Sequence, residues 1–553
     1  MLFILIACLP LVSILRSGTY ESGDLSTHIM QEIYFYKLLF QGDFFPIWAG
    51  GMNATYGYPS FLFTYPLPYY IMSVFHFIGF SFINSAKLLL AVSYLLSGIF
   101  MYLWLRKEVG VKGAFVGGLF YLFAPYHLID LHFRADIGEI LAFVFLPLSL
   151  FAAKNYILTK EIRWFVLEVF SFAFLILSHP AVSISGIPIV LLYIFVLHFR
   201  LKHAERIKLF FAHIAAFIVS ILVTSFYWIP LLYQLGFTHH PDFAKNLAFV
   251  KFHELFYSPW RYGLLFQGHK GELAFLIGYA QLLILCIAII FLFRKKFKKY
   301  EKNLILLSLI LFASLSLMML EISKPLWYTI PFIKNFQFTY RLLGPTMLVI
   351  AVIAAIVASN IKNSKFIIFI CLLVVFSTIL NWGNRGSVPE ITDKILEEQI
   401  PFTATNGAAF SQAITIWSDP KDPFARSIPT KHMDIIKGKG EIKELYRINT
   451  RHEYSVDAKT QLIVKENTLY FPGWHVYIDH IPQKIEILYS SSPKGVISFT
   501  VPPGKHTVEV VFKDTLVVIL GKIVSMVTLI LLFGIVFIKR NFIIMIKKRN
   551  KND

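Results

Sequence analysis

The feature that most limits how this chain can fold is its series of long apolar runs. They fall near residues 2–15, 84–105, 113–129, 138–155, 163–178, 181–199, 208–232, 273–293, 303–320, 342–359, 364–381 and 515–538. A bilayer core takes about 20 helical residues, so the pattern predicts a polytopic α-helical membrane protein with about twelve transmembrane helices. Composition agrees. Only 15% of the residues are charged and 56% are hydrophobic, where soluble domains carry roughly 25% charged residues. The net charge of +19 does not indicate a nucleic-acid partner. Its Lys and Arg residues sit in short clusters between the runs, as loop charges that orient helices do. Cys8, Cys286 and Cys371 all lie inside apolar runs, with neither a disulfide framework nor a metal-type spacing. No small-residue cleavage site follows residues 2–15, so they are expected to be a retained first helix.

Segment 66–80 decides the topology. If it spans, the basic residues Arg106, Lys107 and Lys112 share a side with the first loop. If it lies flat, they join every later basic cluster on the opposite side, from Lys154 and Arg163 through Arg294–Lys299 to Lys547 and Lys548. The segment is short, starts with Pro66 and Pro68, and carries His76. It is therefore predicted to be a juxtamembrane helix. Both termini are then cytoplasmic, in a multi-pass protein of the cell membrane. Loops 16–83, 126–137, 178–181, 233–272, 321–341 and 382–514 face outward.

Three parts are predicted. Residues 1–381 form the transmembrane domain with outer loop 16–83. Residues 382–514 form an extracytoplasmic β-sandwich-like domain. Residues 515–553 form a C-terminal anchor and a basic cytoplasmic tail. Within the middle part, 446–456, 461–471, 475–480, 484–490, 496–501 and 506–512 alternate apolar and polar residues, with turns at Pro472-Gly473 and Pro503-Gly504. Residues 382–440 are less patterned.

The outer loops hold the candidate chemistry. Asp24 and His28, in GDLSTH, share one helical face at i and i+4. A carboxylate at the membrane surface can act as a general base on a hydroxyl or hold a cation. Asp24 also suits an N-cap, and Glu32 on the same face suits a solvated charge. The stretch YHLIDLHFRADIGE carries Asp130, His132, Arg134, Asp136 and Glu139. Charges at a membrane boundary are costly unless they meet water, a ligand or each other. Arg134 is a candidate phosphate clamp, its alternative being an ion pair with Glu139. His179, in a tight Ser-His-Pro turn, is a candidate substrate ligand or a turn histidine. Arg341 lies on the side that disfavours positive charge, which points to a lipid phosphate or a snorkelling anchor. Tyr227, Trp228, Tyr257 and Trp260 suit an interfacial aromatic belt or a sugar-stacking wall. His239, His240, Asp242, His253 and Glu254 match no defined metal spacing.

GDLSTH with GDFFPIWAGGM, then YGYPSFLFTYPLPYY, RADIGEILAFVFLPL, LSHPAVS and YWIPLLYQ follow one another in an order that resembles the GT-C superfamily of membrane glycosyltransferases. More closely, the chain resembles bacterial membrane proteins with a 6-pyruvoyl-tetrahydropterin-synthase-related domain and YfhO-type proteins. YFPGWHVYIDH and GVISFTVPPGKHTVEVVFKDT extend the likeness to the C-terminal part. The resemblance implies inverting sugar transfer from a polyprenyl-phosphate-linked donor to a glycan, lipid or protein acceptor. It implies Asp24 as the catalytic position, and a second acidic site at Asp130, Asp136 or Glu139. The chain lacks the adjacent acidic pair that the best-known members carry after the first helix. No cofactor is therefore fixed, and a divalent cation (Mg or Mn) is the one to test. The rival functions are a lipid-linked glycan exporter and a non-catalytic envelope-assembly protein. An exporter would want ionisable groups near mid-membrane, where this chain has little beyond Glu168.

Overall fold

A computed structural model of the chain describes residues 1–239, 247–257, 275–330, 333, 336–383, 386–402, 413–419, 421, 425 and 427–552. Helices α1 (Leu2–Cys8), α2 (Leu25–Phe40), α3 (Leu67–Phe77), α4 (Phe82–Leu122), α5 (Pro125–Ile129), α6 (Ile137–Thr159), α7 (Ile162–Ser178), α8 (Pro180–Leu197), α9 (His203–Val223) and α10 (Ser225–Gln234) come first. Further helices follow at Tyr279–Phe293, Lys299–Met319, Leu343–Asn360, Ser364–Phe376 and Leu516–Asn552. Among the described residues, 7 helices are long and apolar enough to cross a membrane.

The twelve apolar runs give fewer long helices for local reasons, one being that α7, from run 163–178, has only 17 residues. Run 84–105 and most of run 113–129 are two helices, labelled together as α4, that meet at a reversal at Gly110, whose φ of 80° suits glycine. Gly98 then packs on Leu122, and Gly117 on Leu105, as in an antiparallel hairpin. Run 208–232 is divided at Thr224 into α9 and α10. The apolar helices Leu2–Ser13, Tyr279–Phe293 and Ser364–Phe376 are shorter than a straight span. Segment 66–80 contains the 11-residue α3, about 16 Å long, which is too short to cross a bilayer.

The centre of the bundle is made by α6 and Thr339–Asn360, whose apolar windows are 94% buried, against 22% for Leu516–Lys539 at the periphery. Small residues allow this packing. A Cβ on Gly113 or Gly117 would meet the backbone oxygens of Ala355 and Ala351 at 2.6 and 2.8 Å.

The C-terminal part carries two facing antiparallel sheets. Strands are numbered from the pair β1 (Thr19–Tyr20) and β2 (Ser387–Val388), which tie the first loop to residues beyond the bundle. One sheet has the order β3-β6-β10-β9 (Met433–Lys437, Leu462–Leu469, Val496–Val501, Glu486–Leu488). The other has the order β4-β5-β11-β7-β8 (Gly440–Ile448, Arg451–Ala458, Gly504–Phe512, Trp474–Ile478, Ile481–Gln483). Alternating residues such as Tyr454, Val456, Val464, Phe499, Val508 and Val510 fill the layer between them. The stretch 446–456, expected as one strand, is a hairpin that turns at Asn449 and Thr450, while Pro472-Gly473 and Pro503-Gly504 do sit at strand ends.

The first loop reaches into this sandwich. Ile47, Trp48, Ala54 and Tyr56 share its apolar core, with Trp48 packed on Trp474, Phe512 and Phe471. Asn449 Oδ1 accepts from Gly50 N (2.7 Å) and Tyr34 Oη (3.0 Å), and its Nδ2 donates to Trp48 O (2.9 Å). One loop thus touches the helices at one end and the sheets at the other.

Candidate functional site

The stretch 130–139 folds so that its charges converge. Asp130–Arg134 form a single π-helical turn, a form frequent at functional sites. Ala135 then takes a left-handed conformation (φ 52°), and Asp136 caps α6 by accepting from Gly138 N (3.1 Å) and Glu139 N (3.0 Å). Gly138 permits a close approach, since a Cβ there would meet the Tyr65 ring at 2.5 Å and Ser178 O at 2.6 Å. That approach sets His179, the N-cap of α8, beside Asp136 and Glu139.

Arg134 is the hub. Nη1 donates to Asp130 Oδ1 (2.5 Å) and Tyr126 Oη (2.8 Å) and lies 3.0 Å from Glu139 Oε1, while Nη2 donates to Asp136 Oδ2 (3.0 Å). Arg341 arrives from just before helix Leu343–Asn360, with Nε donating to Glu139 Oε1 (2.8 Å) and Nη2 3.9 Å from Asp136 Oδ2. Tyr126 Oη donates to Glu139 Oε2 (2.6 Å), and Tyr65 Oη to Asp136 Oδ1 (3.2 Å). Val182 N donates to His179 Nδ1 (3.4 Å), which leaves the proton on Nε2, 3.8 Å from Asp136 Oδ2. Asp130, Asp136, Glu139, Arg134 and His179 are all buried.

Asp24 is held against this cluster by its backbone. Gly23 N donates to Phe133 O (2.7 Å) and Asp24 N to Arg134 O (2.9 Å). Asp24 sits at the N-cap of α2, yet its carboxylate makes no capping bond. His28, one turn on, is buried with Nδ1 2.8 Å from Tyr69 Oη, and Tyr69 in turn donates to Gln31.

The electrostatics divide the acids. Burial raises Asp24 above the usual carboxylate range, with Asp136 adding to the rise and His28, Arg134 and Arg341 opposing it. Burial works the same way on Asp136, but there His179, Arg134 and Arg341 outweigh it and hold the carboxyl well below that range. Since burial pushes His179 itself down to about 4, it is neutral at pH 7 and the two arginines do this work. Asp130 is raised well above the usual range by burial, against the pull of Arg134 and with the push of Glu139 and Asp136. Its Oδ2 has no hydrogen-bond partner among the described residues, as suits a neutral acid.

Several expected residues lie elsewhere. His132 is buried against the first helix, its Nδ1 3.4 Å from Ser13 Oγ, and burial holds it neutral, down to about 3. Tyr227 and Trp228 belong to α10, which packs on the C-terminal helix. Tyr227 is buried and Trp228 Nε1 donates to Ile221 O (2.8 Å). Glu32 is not a solvated charge. It is fully buried with neither oxygen hydrogen-bonded among the described residues, and burial, with Asp393 adding to it, keeps the acid neutral. His240, Asp242 and Trp260 lie outside the described residues. Tyr126 and Tyr65 were not anticipated, although Tyr126 opens the charged stretch itself.

Asp136, Glu139 and His179 each offer a ligand atom within 4.8 Å of the others. As a cation site they fit poorly. Glu139 Oε1 and Asp136 Oδ2, the oxygens a cation would take, already face Arg134, and Glu139 Oε1 also accepts from Arg341. The group is an arginine-neutralised ion network.

The model of the 6-pyruvoyl-tetrahydropterin synthase related domain, a membrane-protein family, matches residues 62–384, from the turn before α3 to the last apolar helix before the sandwich. The chain belongs to that family. A protein of Lactococcus lactis subsp. cremoris (strain MG1363), itself uncharacterized, is 24% identical over 329 residues, which are 56% of this chain and 51% of that one. The chain spans about half the length of that relative. Among solved structures it is similar to the arabinofuranosyltransferase AftD from Mycobacteria (TM-score 0.42, 12% identity, 70% of this chain and 27% of that one). It is also similar to ArnT from Cupriavidus metallidurans bound to undecaprenyl phosphate (TM-score 0.36, 14% identity, 64% and 59%). AglB from Archaeoglobus fulgidus, in complex with an inhibitory peptide and a dolichol-phosphate, scores 0.38 at 12% identity over 71% and 55%. At these scores none of them bears on the chemistry of the site.

Proposed function

We propose that this family member is a membrane glycosyltransferase that moves a sugar from a polyprenyl-phosphate donor to an extracytoplasmic glycan, lipid or protein acceptor. One observation carries the reading. A carboxylate that could have capped its own helix makes no side-chain hydrogen bond among the described residues, while its backbone is bonded to that of Arg134 and the charges of Arg134 and Arg341 act on it. Base and anion-binding groups side by side are what transfer from a phosphate leaving group requires.

In this mechanism the donor phosphate meets Arg341, whose Nη2 has no hydrogen bond among the described residues and whose side chain keeps 14% of its surface exposed. Arg134 holds Asp136 and Glu139 in place around it. The acceptor oxygen attacks the sugar C1 while the C1–O bond to phosphate breaks. The lipid phosphate leaves with the bonding electrons, and Asp24 takes the hydroxyl proton. Because burial raises Asp24, the rate should climb as pH rises through its elevated value. No step passes through a cation, since arginines occupy the oxygens that would bind one.

An exporter finds less support. The mid-helix Glu168 is engaged on both oxygens by His213 Nδ1 (2.9 and 2.8 Å), a pair closed on itself. The test is turnover of a labelled polyprenyl-phosphate sugar by the purified protein. Release of lipid phosphate that needs Asp24 supports transfer, and full activity in Asp24→Asn refutes it.

A further inference from the structure

A second site lies at the other end of α2. Residues Gln41–Asp43 close that helix, and beside them opens a cavity of about 300 Å³. Four distant segments wall it: the helix end with the descending loop, the β4–β5 turn, the end of β11, and the C-terminal helix. The walls are fixed before any ligand arrives. Asn449 spends its whole amide on Gly50, Tyr34 and Trp48, and Phe512 N donates to Thr450 O (2.8 Å). Such preformed concavity is typical of ligand sites.

The lining is chemically mixed. Asp43 is partly desolvated, which raises it to about 6 against the pull of Lys522. Asp514 accepts from Lys522 Nζ (2.6 Å), and that ammonium also lies 5.1 Å from the centre of the Phe45 ring. Phe45 is 44% exposed, and Phe512 supplies a second ring. Acceptors and a cationic donor are thus spaced within one small cleft beside aromatic carbon. Two carboxylates against one ammonium disfavour phosphates and uronates.

We propose that this cleft is a saccharide-binding subsite for neutral glycan. Carboxylates accept from ring hydroxyls, Lys522 donates to them, and the exposed Phe45 ring covers a sugar C–H face. The transfer reading adds a role. Asp24 stands at one end of α2 and the cleft adjoins the other, so the 16-residue helix separates them by about 24 Å. The cleft then grips the far part of an acceptor several sugars long while its end reaches Asp24. That role rests on the proposed transfer; saccharide binding does not.

The experiment uses the full chain in nanodiscs and an array of neutral mono- to octasaccharides, with oligogalacturonates as the anionic control and no donor present. At least one neutral series should bind. Asp43→Asn and Phe45→Ala should each weaken it at least about tenfold, while Asp24→Asn binds as the wild type and the uronates do not bind. Absence of neutral binding, or binding indifferent to both cleft variants, overturns the proposal. Binding that persists in a protein with no transferase activity removes only the transfer reading.

Discussion

Two buried ion clusters in this protein use the same residue types to different ends. In the sandwich, Arg447 Nη1 (2.7 Å), His452 Nδ1 (2.9 Å) and Tyr454 Oη (3.0 Å) all converge on Glu466 Oε1 between the two sheets. At the mouth of the bundle, two arginines, a histidine and two tyrosines share three buried acids, and a fourth acid, Asp24, stands beside them with no side-chain hydrogen bond among the described residues. The first arrangement spends its donors on one carboxylate and holds a core together. The second keeps a base and a guanidinium edge in reserve. What separates the two is an acid that makes no side-chain hydrogen bond among the described residues, since buried charge and even an unpaired carboxylate oxygen occur in both.

The comparison can be broken first at Arg134. Arg134→Ala strands Asp130, Asp136 and Glu139 in the interior and should cost about 3–5 kcal/mol in thermal unfolding of the solubilised protein. A loss near zero would mean the hub is ornamental. In the sandwich, Glu466→Gln should cost about 1–3 kcal/mol. It should also change the acid limb of stability. Burial works to raise Glu466, but His452 and Arg447 outweigh it and hold the carboxyl well below its ordinary value. A depressed carboxylate contributes stability that is present above the unfolded value, about pH 4.3, and is lost as pH falls through the folded value. The Gln variant should lack that limb.

Asp24 should behave the opposite way. Its raised value means that ionising it in the fold is unfavourable, so its share of stability falls as pH rises from the unfolded to the folded value. Asp24→Asn should melt at or above the wild-type temperature at pH 7; a clear drop would make Asp24 a structural residue. The smallest effect is expected from chelation. EDTA should leave melting and turnover unchanged, and loss restored by Mg²⁺ or Mn²⁺ would put a cation where the arginines now sit.

Much of this was legible in the chain. The apolar runs marked the helices, the short proline-led segment 66–80 marked α3, and RADIGE marked the charge cluster, because charge at a membrane boundary demands a partner. What stayed hidden were partners set by tertiary packing. Arg341 meets Glu139 across about 200 residues, a pairing no local pattern encodes. His132 points at the first helix because the π-turn rotates it away from its charged neighbours. Glu32 follows Asp24 and His28 at helical spacing, yet its burial depends on the packing of α2 against α3 and α4. The Asn449 turn was masked by alternation that continues through it, so its grip on the first loop went unseen.

The most direct measurement pairs activity with integrity in one variant. Wild-type protein and Asp24→Asn, matched in folding by melting temperature, are given radiolabelled polyprenyl-phosphate sugar and acceptor, and released lipid phosphate is counted. Loss of a general base predicts a fall of about 10²–10⁴-fold in the variant with melting preserved. Equal release by both proteins would contradict the account.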